Sequence, residues 1–82
     1  MNRLWKEGTI GIPLKDGGNK TAHYWAKVYD EGSEFGIDEG RISKLTIKID
    51  GKTVVNYDRG WDIEPKDEAT QMAYEILLYN YN

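Results

Sequence analysis

His23, the single histidine, stands in the run His23-Tyr24-Trp25. An imidazole moves protons near neutral pH, but as a catalyst it needs a nucleophile or a matched acid beside it. The chain has no cysteine, and no serine falls in a partnered arrangement. The fourteen Asp and Glu residues are dispersed along the sequence. Two carboxylates divide acid and base roles only inside a pocket that drives their pKa values apart, and a small sheet-and-helix domain seldom encloses one. These residues argue against an enzyme, and no cofactor is expected.

Three other groups have chemistry to offer. Tyr57-Asp58-Arg59-Gly60-Trp61-Asp62-Ile63-Glu64-Pro65 joins an expected strand to the expected helix. It is far richer in rings and charges than a connector needs. One use is structural: Tyr57 caps the core, Arg59 pairs with Asp58, Asp62 or Glu64, and Gly60 supplies a bend or bulge. The other is recognition by Tyr57, Arg59, Trp61 and Asp62, with Trp25 and Tyr29 as further binding residues, since Trp, Tyr and Arg dominate binding hot spots. A small charged ligand would instead need a pocket lined by Arg59, Tyr57 and Trp25. The second group is the loop of residues 30–40, with five carboxylates and three glycines in eleven residues. Calcium wants such oxygens, but Gly32 and Phe35 stand where a helix-loop-helix site needs a ligand and its glycine. No metal site is expected; the loop reads as solvated and flexible, with Phe35 and Ile37 pinning it to the body. The third group is Arg41, Lys44, Lys48 and Lys52, which with His23, Trp25, Lys27 and Tyr29 have the composition of a single-stranded nucleic-acid platform. The acidic loop and the net charge of −3 argue against that alternative.

The elements that must position these residues follow from periodicity. Ile10, Ile12 and Leu14 alternate in a first strand with Pro13 at its end, and 15–19 is a turn rich in Gly and Asn. Residues 20–29 form a second strand with Ala22, Tyr24, Ala26 and Val28 toward the core. Residues 41–49 form a third, with Leu45, Ile47 and Ile49 inward. Asp50-Gly51 then signals a hairpin. A two-residue loop pairs Ile47 with Val54, whereas a three-residue loop pairs Leu45 with Val55, and the fourth strand ends near Tyr57. Pro65 fits a first helical position, and Asp67 and Glu68 suit a first turn. Ala69, Met72, Ala73, Ile76 and Leu77 make the apolar stripe, Tyr74, Leu78 and Tyr81 flank it, and 80–82 fray. The expected fold is α+β: about four antiparallel strands (β-β-β-β-α) covered on one face by a single C-terminal helix.

Eighty-two residues make one domain, 1–82. A chain this short buries only about 60–65% of its unfolded surface, so its three Trp, six Tyr and one Phe must carry much of the core. The lack of cysteine excludes disulfides. Met1-Asn2-Arg3-Leu4-Trp5-Lys6-Glu7 shows no signal-peptide stretch, and no run reaches a membrane span of about 20 apolar residues. A cytoplasmic protein without membrane contact is expected. A sheet with one uncovered face has surface that a homodimer would hide.

The blocks Tyr24-Trp25, Glu34-Phe35-Gly36-Ile37, Gly40-Arg41-Ile42-Ser43-Lys44-Leu45 and Asn56-Tyr57-Asp58-Arg59-Gly60-Trp61-Asp62 resemble a family of short uncharacterised proteins. That family, catalogued as a domain of unknown function, occurs in Firmicutes, particularly Clostridia, and in their phages and mobile elements. The resemblance runs from Tyr24 onward. It implies a cytoplasmic setting and a phage or mobile-element origin, and it transfers no activity or functional residue. Small phage proteins of this size often inhibit host defence. The expectation is a non-enzymatic binding module that engages a host protein.

Overall fold

The computed structural model describes residues 4–82. Five strands, β1 (Trp5–Pro13), β2 (Asn19–Val28), β3 (Ile42–Ile49), β4 (Lys52–Asp58) and β5 (Trp61–Ile63), precede one helix, α1 (Glu68–Tyr81). The strands form one antiparallel sheet in sequence order, β1-β2-β3-β4-β5. The fold is α+β, with α1 packed across one face. The expected four strands become five because β5, only three residues long, folds back on β4 with Trp61 opposite Tyr57.

Period two decides which face is buried. Ala22, Tyr24, Ala26 and Val28 of β2 meet Leu45, Ile47 and Ile49 of β3 and Val55 and Tyr57 of β4 under the helix. Each large aliphatic chain so buried stabilises the fold by about 1.5–3 kcal/mol. The helix contributes Thr70, Ala73 and Leu77 as its buried line, with Ala69, Met72, Tyr74, Leu78 and Tyr81 packed alongside. Ile76, in the stripe by spacing, is half-buried outside this cluster. The Asp50-Gly51 hairpin takes a two-residue loop with both residues left-handed (φ 53° and 78°), which matches the twist of the flanking strands. Ile49 therefore faces Lys52 and Lys48 faces Thr53. A bulge at Val54 then shifts the ladder, so Ile47 pairs with Val55 and Leu45 with Tyr57. Neither expected register holds throughout; the extra residue, Val54, also packs on the core.

The helix starts later than its sequence suggests. Asp67 is the cap, its Oδ1 accepting the Thr70 N–H at 2.8 Å, and Pro65 lies two residues ahead of it. That hydrogen bond holds the Asp67 carboxyl below its usual pKa. One turn in, the Thr70 hydroxyl is buried without a hydrogen-bond partner. Thr70→Val keeps the shape and removes the unsatisfied group, so it should stabilise the fold by about 1 kcal/mol. A fall in melting temperature would contradict this account.

At the far end, Tyr24 Oη and Tyr81 Oη lie 3.0 Å apart, joining sheet to helix. The bond to Tyr81, with burial, pushes the Tyr24 phenol up to about 12; burial does the same for Tyr74. A phenol whose pKa is raised in the folded state holds its proton more tightly there than when unfolded. Its contribution is complete below the ordinary value of 10 and is lost as pH rises toward about 12. Urea titrations across that interval should show falling stability, less steeply in Tyr24→Phe; identical slopes would refute the link. The expected fraying of 80–82 does not occur. Asn82 Oδ1 accepts the Ile42 N–H and Asn82 Nδ2 donates to the Ile37 carbonyl, both at 2.9 Å. No helix among the described residues is long and apolar enough to cross a membrane.

Candidate recognition site

Residues 30–40 are ordered by their own backbone. Ser33 N–H donates to Gly40 O at 3.2 Å, Gly36 N–H to Ser33 O at 3.0 Å, and Glu39 N–H to Gly36 O at 3.0 Å. Asp38 and Glu39 both take left-handed backbone (φ 52° and 60°) in a short 3-10 turn, Ile37–Glu39. Three outside ties hold the loop: buried Ile37, the Asn82 side chain, and Tyr57 Oη, which donates to the Phe35 carbonyl at 2.9 Å. Most of the loop is exposed, as expected of a solvated segment, but it is also tied to the body at these points. Ile37 pins it as expected, whereas Phe35 stays 48% exposed.

The ring is exposed because it forms the wall of a cleft. Between this loop and the β4–β5 turn lies a cleft of about 630 Å³. Leu4, Tyr29, Phe35, Ser43 and Arg59 line it, together with the acidic residues Asp30 and Glu31. The Arg59 guanidinium sits 5.5 Å from the Phe35 ring centroid, a cation held against a π face. Among the described residues no carboxylate lies within ion-pairing distance of it. The pairings expected for Arg59 are not made: Asp58 approaches Lys44 at 3.8 Å and Asp62 accepts from Asn56 at 3.1 Å. The backbone at this turn is also unexpected. Arg59, not Gly60, takes the left-handed conformation (φ 60°), its N–H donating to Ser43 O at 3.1 Å.

Of the other residues assigned to recognition, Tyr57 is 7% exposed and so is no surface anchor. Trp61 packs edge-on between Tyr57 and Tyr74, with centroids 5.1 and 5.4 Å away, though 39% of it remains exposed. The corner therefore both packs and presents. Tyr29 does reach the cleft, with the Lys27 ammonium 5.5 Å from its ring. Trp25 does not. It lies on the uncovered face of the sheet, stacked on His23 at 4.2 Å, and lines a separate groove of about 440 Å³ with Trp5, Thr46 and Lys48. None of the three pockets described joins Arg59, Tyr57 and Trp25. The basic group is divided as well. Lys44 and Lys48 share the uncovered face, whereas Lys52 lines a hollow beside the start of α1 with Lys20 and Asp67. Arg41 precedes β3, its carbonyl accepting the Tyr29 N–H. His23 contacts Glu7 at 3.0 Å. No group of three or more Asp, Glu and His side chains among the described residues could hold a metal ion.

A family model described as a domain of unknown function, DUF7678, matches residues 4–82. The chain belongs to that family. Searches of curated proteins and of solved structures gave no match. The DUF7678 match covers the acidic loop, the β4–β5 corner and the helix alike, so the cleft lies wholly within the family domain. Sequence reasoning missed Ser43 and Leu4 as cleft residues. An irregularity between Lys27 and Val28 leaves Ser43 unmatched in the β2–β3 ladder, and alternation alone carries no signal for it.

Proposed function

We propose that this DUF7678 chain is a non-enzymatic binding module that engages a protein partner through the cleft between the acidic loop and the β4–β5 turn. The observation that carries the reading is Arg59. Left-handed backbone costs a branched-out side chain about 1–2 kcal/mol, yet here an exposed Arg takes it while the glycine next to it does not. Such strain at an exposed, unpaired cation beside an exposed ring is what a preorganised anchor looks like. The resemblance of its sequence blocks supports a phage or mobile-element origin, a host protein as the partner and a cytoplasmic setting. The test is affinity capture from host lysate with wild type and Arg59→Gly side by side. A protein retained by wild type and lost by the variant supports the reading; retention by both would overturn it.

A further inference from the structure

Ser43 is 4% exposed as a residue and lines the cleft, and its hydroxyl, unlike that of Thr70, is not among the buried atoms left without a partner, so it keeps accessible surface. Its donor is therefore open to a group seated in the cleft, at no standing cost to the fold. Its backbone carbonyl receives the Arg59 N–H, so the hydroxyl and the guanidinium belong to two cleft-lining residues tied together through the backbone. A hydroxyl and a guanidinium together make a donor set for a planar anion, which Arg recognises through two parallel bonds.

The remaining lining decides which anion. Asp30 and Glu31, two acidic residues, line the same cleft as Arg59, its one cationic lining residue. A dianionic phosphate would gain one cation and meet two like charges. A monoanionic carboxylate accompanied by a basic group matches both signs. Phe35 and Leu4 provide apolar surface between them. On the reading of the corner as a recognition surface, on which this rests, we infer that Arg59 and Ser43 bind one carboxylate of a mixed-charge peptide segment, whose basic residue meets Asp30 and Glu31.

The probe is the blocked tripeptide N-acetyl-Lys-Leu-Glu-amide, titrated into the ¹⁵N-labelled full chain and compared with its Gln counterpart and with inorganic phosphate. The Glu peptide should shift the Ser43, Phe35 and Arg59 amides, and the Gln peptide should bind about tenfold more weakly. Ser43→Ala, which removes only the hydroxyl, should keep its melting temperature and bind the Glu peptide several-fold more weakly. Equal binding of the two peptides, phosphate binding tighter than either, or no shift in the cleft would each overturn the inference. The two readings can fail separately. Arg59-dependent capture of a partner with carboxylate-independent peptide binding removes the inference alone. Carboxylate-dependent titration with Arg59-independent capture removes the proposed function and leaves the subsite.

Discussion

Gly36→Ala is expected to lower stability by about 2–3 kcal/mol, the upper range for forcing atoms into a filled site. For a domain of this size that corresponds to a melting-temperature drop on the order of 10–20 °C. Gly36 has ordinary extended backbone (φ −79°, ψ 159°), so alanine meets no conformational penalty; the obstacle is space. A Cβ there would overlap the Gly40 carbonyl, and Gly40 is itself packed closely, the Asn82 side chain filling the place where its own Cβ would stand. Relief requires opening the loop, which releases the Phe35 carbonyl from Tyr57 and the Ile37 carbonyl from Asn82. Gly11→Ala is the control: nothing lies within 4 Å of a Cβ at that position, and its effect should stay within about 0.5 kcal/mol. Similar melting temperatures for the two variants would mean that the loop is not locked by its glycines.

Arg59→Gly should separate binding from folding. Three terms act on stability. Relief of the left-handed backbone gains about 1–2 kcal/mol, the looser unfolded chain costs about 0.5–1 kcal/mol, and loss of the exposed contact with Phe35 costs about 0.5–1 kcal/mol. They nearly cancel, so the variant should fold as stably as wild type to within about 1 kcal/mol. Arg59→Ala loses the same contact while keeping most of the strain, and should be the less stable of the two. Binding has no such compensation. An anchor of this kind is worth about 2 kcal/mol or more, so partner affinity should fall about 30-fold. If affinity survives the glycine variant, the guanidinium is not the anchor, however well the cleft is formed.

The long strands were legible because their apolar residues alternate: one face of β2 and β3 is written in Ala22, Tyr24, Ala26 and Val28 and in Leu45, Ile47 and Ile49. The helix was legible from its stripe. Two kinds of feature were not. Bulges at Lys27/Val28 and at Val54 move residues between faces without any change in composition, which hid Ser43 and displaced the register of the second hairpin. Glycines in 30–40 read as signs of mobility, whereas Gly36 and Gly40 serve close backbone and side-chain approach. The corner drew attention by its composition, but the placing of its parts was not legible: Tyr57 is used from inside, Trp61 packs along its edges, and Arg59 pairs with a ring instead of a carboxylate. Trp25 belongs to the opposite face, which alternation already implied, since it is out of step with the buried set of its own strand.

The sheet and the cleft place different demands on folding order. In a meander each strand needs only its predecessor, so loop closure stays inexpensive and pairing can advance hairpin by hairpin. The cleft draws instead on Leu4, Tyr29, Ser43 and Arg59, and the loop forming one side of it is clamped by Asn82, forty-five residues beyond Ile37. A chain with its strands paired but its last helical turn undocked would already have the face that carries Trp25, while the loop beside the cleft would lack its tie to Asn82. Seating of Asn82 thus joins the end of the helix to one side of the cleft, and lifting that end would loosen the loop at one of its three ties while leaving the sheet ladder untouched.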